Sequence, residues 1–213
     1  MKRIATICIM LIAMMQCLTA EAQKNPQAKK ILDATAKKFN SAKGIEATFK
    51  MSNTVGGSEQ AAGGGQIQLK GKKYKLTAGD QITWFDGKTL WSYSKDIEEV
   101  NVTTPTKKEM QSMNPYSFVG LYKSGYNYNV KNVTSNNTTL YEVRLTAENP
   151  KSDMPEIVIN ITKDYTPVSI RMRQGKSWSK ISITKFNASK SFADTHFTFP
   201  KSQYPDAEII DMR

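Results

Sequence analysis

From Ile45 onward the chain alternates apolar and polar residues in short runs, and this two-residue period restricts its fold more than any other feature. Ile45, Ala47, Phe49 and Met51 alternate with Glu46, Thr48, Lys50 and Ser52. The pattern returns at Ile67 and Leu69, at Tyr74 and Leu76, and around Ile82 to Trp84 and Leu90 to Tyr93. It continues through Tyr126, Tyr128 and Val130, Tyr141, Val143 and Leu145, and Ile157, Ile159 and Ile161. Val168, Ile170 and Met172 follow, then Ile181 and Ile183. Gly56-Gly57-Ser58, Gly71-Lys72, Gly79-Asp80 and Asp86-Gly87 separate the runs with turn chemistry. Glu98 to Thr103 reads as a short strand, Thr195 to Phe199 as the last one, and Asn132 to Thr139 as a long hairpin loop. Roughly eleven strands in hairpin order predict an antiparallel sheet or barrel, not βαβ units.

Two stretches break this rhythm. Asn25-Pro26 supplies an N-cap and a proline at the first helical position, and Ala28, Ile31, Leu32, Thr35, Ala36 and Phe39 recur at helical spacing before Gly44. Thr106-Lys107-Lys108-Glu109 fits a capping box that opens a short helix carrying Met110 and Met113. Asn114-Pro115 starts a second, with Phe118, Val119, Leu121 and Tyr122, stopped at Gly125. One face of nearly every strand is apolar and must be covered. A long sheet can close on itself, pair with a second sheet, or curl under helices. The last arrangement leaves apolar surface over for a ligand.

The amino terminus reads as an address. Lys2 and Arg3, the apolar run Ile4 to Met15 and Ala20-Glu21-Ala22 make a signal peptide over residues 1–22, leaving one domain over 23–213. The run is shorter than the ~20 residues of a membrane anchor. Cys17 allows a lipoprotein signal, although Gln16 stands where such signals want a small residue. Cys8 and Cys17 both lie in the removed part, so the exported domain holds no disulfide and no cysteine metal site. It keeps 28 Lys and Arg against 18 Asp and Glu, a basic balance spread without long runs. Export argues against nucleic acid as the partner.

Catalytic patterns are absent from the sequence. His196 is the single histidine, expected on a terminal strand in a structural role. There is no nucleophile elbow, zinc-protease helix or Walker pattern, and Gly63-Gly64-Gly65 is flanked by strand. Asp86, Asp96, Glu98 and Glu99 are explained by turn chemistry. No enzyme activity, cofactor or metal is expected.

Asp86-Gly87-Lys88-Thr89-Leu90-Trp91-Ser92-Tyr93, with Asp96-Ile97-Glu98-Glu99-Val100 after it, resembles the central signature of LolA, the periplasmic outer-membrane lipoprotein carrier. The helix Ala28 to Phe39 leading into Ile45 to Met51, the strand Gly65 to Lys70, Asn114-Pro115-Tyr116-Ser117-Phe118 and the end Phe197-Thr198-Phe199-Pro200-Lys201 are similar in the same order. The resemblance implies an incomplete antiparallel barrel capped by helices over an apolar cavity. It implies a periplasmic chaperone that takes lipoproteins from an inner-membrane ABC-type releasing complex, holds their acyl chains, and passes them as a monomer to an outer-membrane acceptor. A sensor or a lipid- or glycan-binding module of the same fold is the alternative. Phe49, Met51, Ile67, Leu69, Tyr74, Leu76, Trp84, Leu90 and Trp91 are the expected cavity residues. Met110, Met113, Phe118, Val119, Leu121 and Tyr122 are the expected lid. Family members often carry an arginine in the turn where this chain has Gly71, and Lys72 or Lys73 is the expected substitute.

Overall fold

Helix α1 (Pro26–Ser41) begins where the sequence places it, with the Asn25 side chain accepting from the Ala28 N–H at 3.0 Å. The computed structural model that shows this describes residues 24–106, 109 and 120–213. The α1 residues Ala28, Ile31, Leu32, Thr35, Ala36 and Phe39 are buried, the same stripe that the helical spacing marks.

Twelve strands follow, forming one sheet. They are β1 (Ile45–Val55), β2 (Ser58–Lys70), β3 (Lys73–Ala78), β4 (Gln81–Phe85), β5 (Leu90–Ser94) and β6 (Glu99–Thr103). The second half holds β7 (Tyr126–Ser135), β8 (Thr138–Ala147), β9 (Glu156–Ile161), β10 (Pro167–Gln174), β11 (Ser177–Asn187) and β12 (Glu208–Asp211). Their order is β12-β6-β5-β4-β3-β2-β1-β11-β10-β9-β8-β7, with β1 paired to β11 in the middle. Because β12 and β7 do not pair with each other, the sheet is an unclosed barrel.

Registry carries one apolar face from end to end. Leu90 faces Phe85, Phe85 faces Tyr74, Tyr74 faces Leu69 and Leu69 faces Ile45. In the other half Met51 faces Ile181, Ile181 faces Ile170, Ile170 faces Ile159, and Ile159 faces Val143. The amino-terminal half of α1 packs Ala28, Ile31 and Leu32 on β7 to β10, and Phe39 packs on β1 to β5.

Two expectations need correcting. Asn132 to Thr139 is not a long loop. β7 and β8 run to a tight turn at Asn136-Asn137, whose φ of 47° and 58° suits asparagine. Their polar tip is exposed on both faces, so the alternation that marks a strand is missing there. Thr195 to Phe199 is not a strand either, because Asp194–Phe197 forms a 3-10 turn with Phe197 fully buried. The last strand of the sheet is instead Glu208–Asp211, which pairs parallel with β6. The reciprocal capping box does form. Thr106 Oγ1 accepts from the Glu109 N–H at 3.3 Å, and the Thr106 N–H donates to Glu109 Oε2 at 2.7 Å.

Candidate functional site

Between α1 and the inner sheet face lies a cavity of about 230 Å³. Its roof is Phe39. Its floor comes from β1 (Ile45, Ala47, Phe49, Met51), β2 and β3 (Ile67, Leu69, Leu76), and β10 and β11 (Ile170, Ile181, Ile183, Phe186). No lining residue titrates or carries a polar side-chain group other than the Met51 thioether, so the arrangement can exclude water and hold hydrocarbon but cannot transfer a proton. Phe49, Met51, Leu76, Ile181 and Ile183 are only half-buried, which leaves apolar surface that neighbouring described residues do not cover.

The backbone bends where the cavity needs width. β1 carries irregularities between Thr48 and Phe49 against β11, and between Lys50 and Ser52 against β2. Opposite them a Cβ on Gly65 would come within 2.1 Å of the Thr77 carbonyl oxygen and 3.1 Å of the Phe49 ring. Glycine therefore permits the close approach of β1, β2 and β3 behind Phe49. Gly64 and Gly65 are thus packing devices and not a phosphate cradle.

The expected cavity residues divide into three groups. Phe49, Met51, Ile67, Leu69 and Leu76 line the space. Tyr74 and Leu90 lie on the same face in the adjoining core, where Tyr74 stacks at a tilt on Phe85 at 5.4 Å and burial pushes its hydroxyl up to about 12. Trp84 and Trp91 do not join them. They face each other across β4 and β5 on the outer surface, one residue out of phase with Phe85 and Leu90. There Phe199 and Tyr204 pack edge-on against Trp84 at 5.5 and 5.8 Å. Spacing could not show that a carboxy-terminal strap would make a second apolar core on the outer face. Phe39, Ile45, Ala47, Ile170, Ile181, Ile183 and Phe186 line the cavity without having been singled out for it; the alternation in β1, β10 and β11 was the available signal.

Of the expected lid residues, Met110, Met113, Phe118 and Val119 lie outside the described residues. Leu121 ends a helical stretch and packs on the β7 to β10 core. Tyr122 is buried, and its hydroxyl donates to Asp33 Oδ1 at 2.5 Å, tying this part of the chain to α1. Burial first, and then that carboxylate, raise the Tyr122 hydroxyl far above its ordinary value.

At the β2–β3 turn Gly71 has φ 58°, a conformation that favours glycine. Lys72 is exposed. Lys73 lies 2.9 Å from Asp194 Oδ2, and Lys70, which the sequence did not mark, lies 2.8 Å from Asp194 Oδ1. Hydrogen bonds from Lys70 and Lys73 hold the Asp194 carboxyl down at about 2. These lysines clamp the strap to the outer face. His196 lies in the same strap, with Nε2 2.7 Å from Gln68 Oε1 and its ring stacked on Phe192.

An uncharacterised conserved protein from Thermus thermophilus has a similar structure, at 13% identity and a TM-score of 0.58, covering 87% of this chain and 99% of that one. The Mycobacterium tuberculosis lipoprotein LppX is 10% identical with a TM-score of 0.49, over 79% of this chain and 100% of its own. A LolA superfamily protein from Nitrosomonas europaea is 10% identical with a TM-score of 0.43, over 81% of this chain and 97% of its own. No curated protein matches the chain. The family model described as outer membrane lipoprotein carrier protein LolA matches residues 18–176, and by that match the chain belongs to this family.

Proposed function

We propose that the protein is a periplasmic chaperone that carries lipid-modified proteins, as a monomer, from an inner-membrane ABC-type releasing complex to an outer-membrane acceptor. The cavity is the observation that supports this reading. It is lined by apolar side chains alone and lies between one helix and an unclosed sheet, so it can widen without breaking a closed ring of strands. An exposed acyl chain costs about 0.8 kcal/mol per CH₂ in water, so transit between membranes needs such shelter. The head of a lipoprotein stays outside a lining with no polar groups, which makes the carrier indifferent to the protein attached. Phe49, Met51, Ile67, Leu69 and Leu76 would contact the chains directly, with Tyr74 and Leu90 supporting them. Leu121 and Tyr122 would anchor the lid segment, and residues 1–22 would be its export signal. No catalytic step is assigned.

The test is purification from cell envelopes followed by mass spectrometry, paired with a transfer assay from inner-membrane to outer-membrane vesicles. Bound lipoprotein and transfer support carriage. Bound acyl lipid without transfer would favour a sensor or storage module, and protein that is reproducibly empty and inactive would overturn the reading.

A further inference from the structure

The β10–β11 hairpin and the outer half of the β1–β2 hairpin run beyond the core at one end of the sheet. Ser58 to Gly63 are all exposed there, so this ribbon has solvent on both faces. Its outer face carries Trp178, half-exposed, opposite Thr54 on one side and Arg173 on the other. The Arg171 guanidinium lies 5.3 Å from the Trp178 ring centre.

The charges around this tryptophan are unequal. Two carboxylates share the patch and both are engaged: Glu59 with Lys180 at 3.1 Å, and Glu156 with Arg173 at 3.3 Å and with Arg144. Arg171 shares the Glu59 carboxylate at longer range with Lys180, while Lys50 and Lys176 form no salt bridge among the described residues, so cations outnumber carboxylates here. Register places Arg171 and Lys50 on the Trp178 face, and Lys176 sits in the turn beside it. A half-exposed indole on a face with more cations than carboxylates is the chemistry of an interfacial anchor: the ring sits at headgroup depth while the cations meet lipid phosphates. Arg171 and Lys180 lie one residue along β10 and β11 from the cavity residues Ile170 and Ile181, so the patch backs the cavity floor.

We propose that this face docks the protein on anionic phospholipid surfaces through Trp178, Arg171, Lys50 and Lys176. Docking there sets the unclosed sheet against a bilayer, which is where cargo is collected and given up. The inference does not rest on what the cavity holds, because the face would dock an empty protein as well as a loaded one.

Vesicle flotation tests it. The full mature chain is mixed with vesicles of phosphatidylglycerol and phosphatidylcholine, or of phosphatidylcholine alone, at low and high salt. Binding to the anionic vesicles only, lost at high salt, is expected. The triple variant Lys50→Gln, Arg171→Gln, Lys176→Gln should bind at least tenfold more weakly, because each cation near a charged bilayer contributes about a fivefold effect. Trp178→Phe should remove a blue shift in tryptophan emission on vesicle addition while leaving the circular dichroism unchanged. Capture of lipid by the cavity would look different, being insensitive to salt and to headgroup charge and intact in the triple variant. Equal binding to both vesicles, no binding, or wild-type binding by the folded triple variant would overturn the proposal.

Discussion

The ring of Phe39, on the last turn of α1, meets the ring of Phe186 on β11 at 5.5 Å and 46°. This contact joins roof to floor at the edge of the cavity, and it couples the helix to the strand that closes the middle of the sheet. Phe39→Ala should cost about 3 kcal/mol, the low end for a buried aromatic, because an empty space already lies beside it. Denaturant unfolding measures this. A cost under 1 kcal/mol would mean that the helix is held by its amino-terminal half alone.

Met51→Asp and Ile181→Asp put a carboxylate on adjacent, half-buried floor positions. Both can hydrate the charge through the open side, so folding should survive with a loss of about 1–2 kcal/mol while acyl-chain uptake falls at least tenfold. Trp84→Ala is the opposite case. The ring is 1% exposed on the outer face, so its loss should cost about 3–5 kcal/mol and leave chain uptake by the surviving folded protein unchanged.

Asp194 gives a pH signature to the strap. Its carboxyl is held at about 2 by Lys70 and Lys73, below the ordinary 3.8. A group lowered on folding adds stability that is complete above about pH 4 and fades as pH falls through about 2. The difference in Tm between wild type and Asp194→Asn should therefore be full at pH 6 and much smaller at pH 2. A difference that persists unchanged at pH 2 would show that the clamp is not ionic.

The family's arginine cannot simply be restored in this turn. A Cβ at Gly71 meets nothing within 4 Å, but φ is 58° there. Gly71→Arg should cost about 1–2 kcal/mol through backbone strain alone. Thermal unfolding measures it, and an unchanged or raised Tm would show that the turn can adopt another form.

Much of this architecture is written in residue alternation. Ile45 to Met51 and the α1 stripe are each buried on one side by a large core, so their periods are clean. Where a segment has solvent on both sides, as at Asn132 to Thr139, there is no contrast for a period to record. Face assignment fails at Trp84 for another reason. Both faces of β4 are apolar because the strap residues Phe199 and Tyr204, more than a hundred positions away, cover the outer one. The cavity itself depends on how far α1 stands off the sheet, and no run of residues encodes that distance.

Native mass spectrometry of the mature protein with a purified diacylated lipopeptide measures the central claim most directly. The account predicts a one-to-one complex that survives high salt, is lost with the lipopeptide's deacylated form, and is weakened at least tenfold by Met51→Asp or Ile181→Asp. A protein that ignores the acyl chains, or binds them as well after both substitutions, would contradict it.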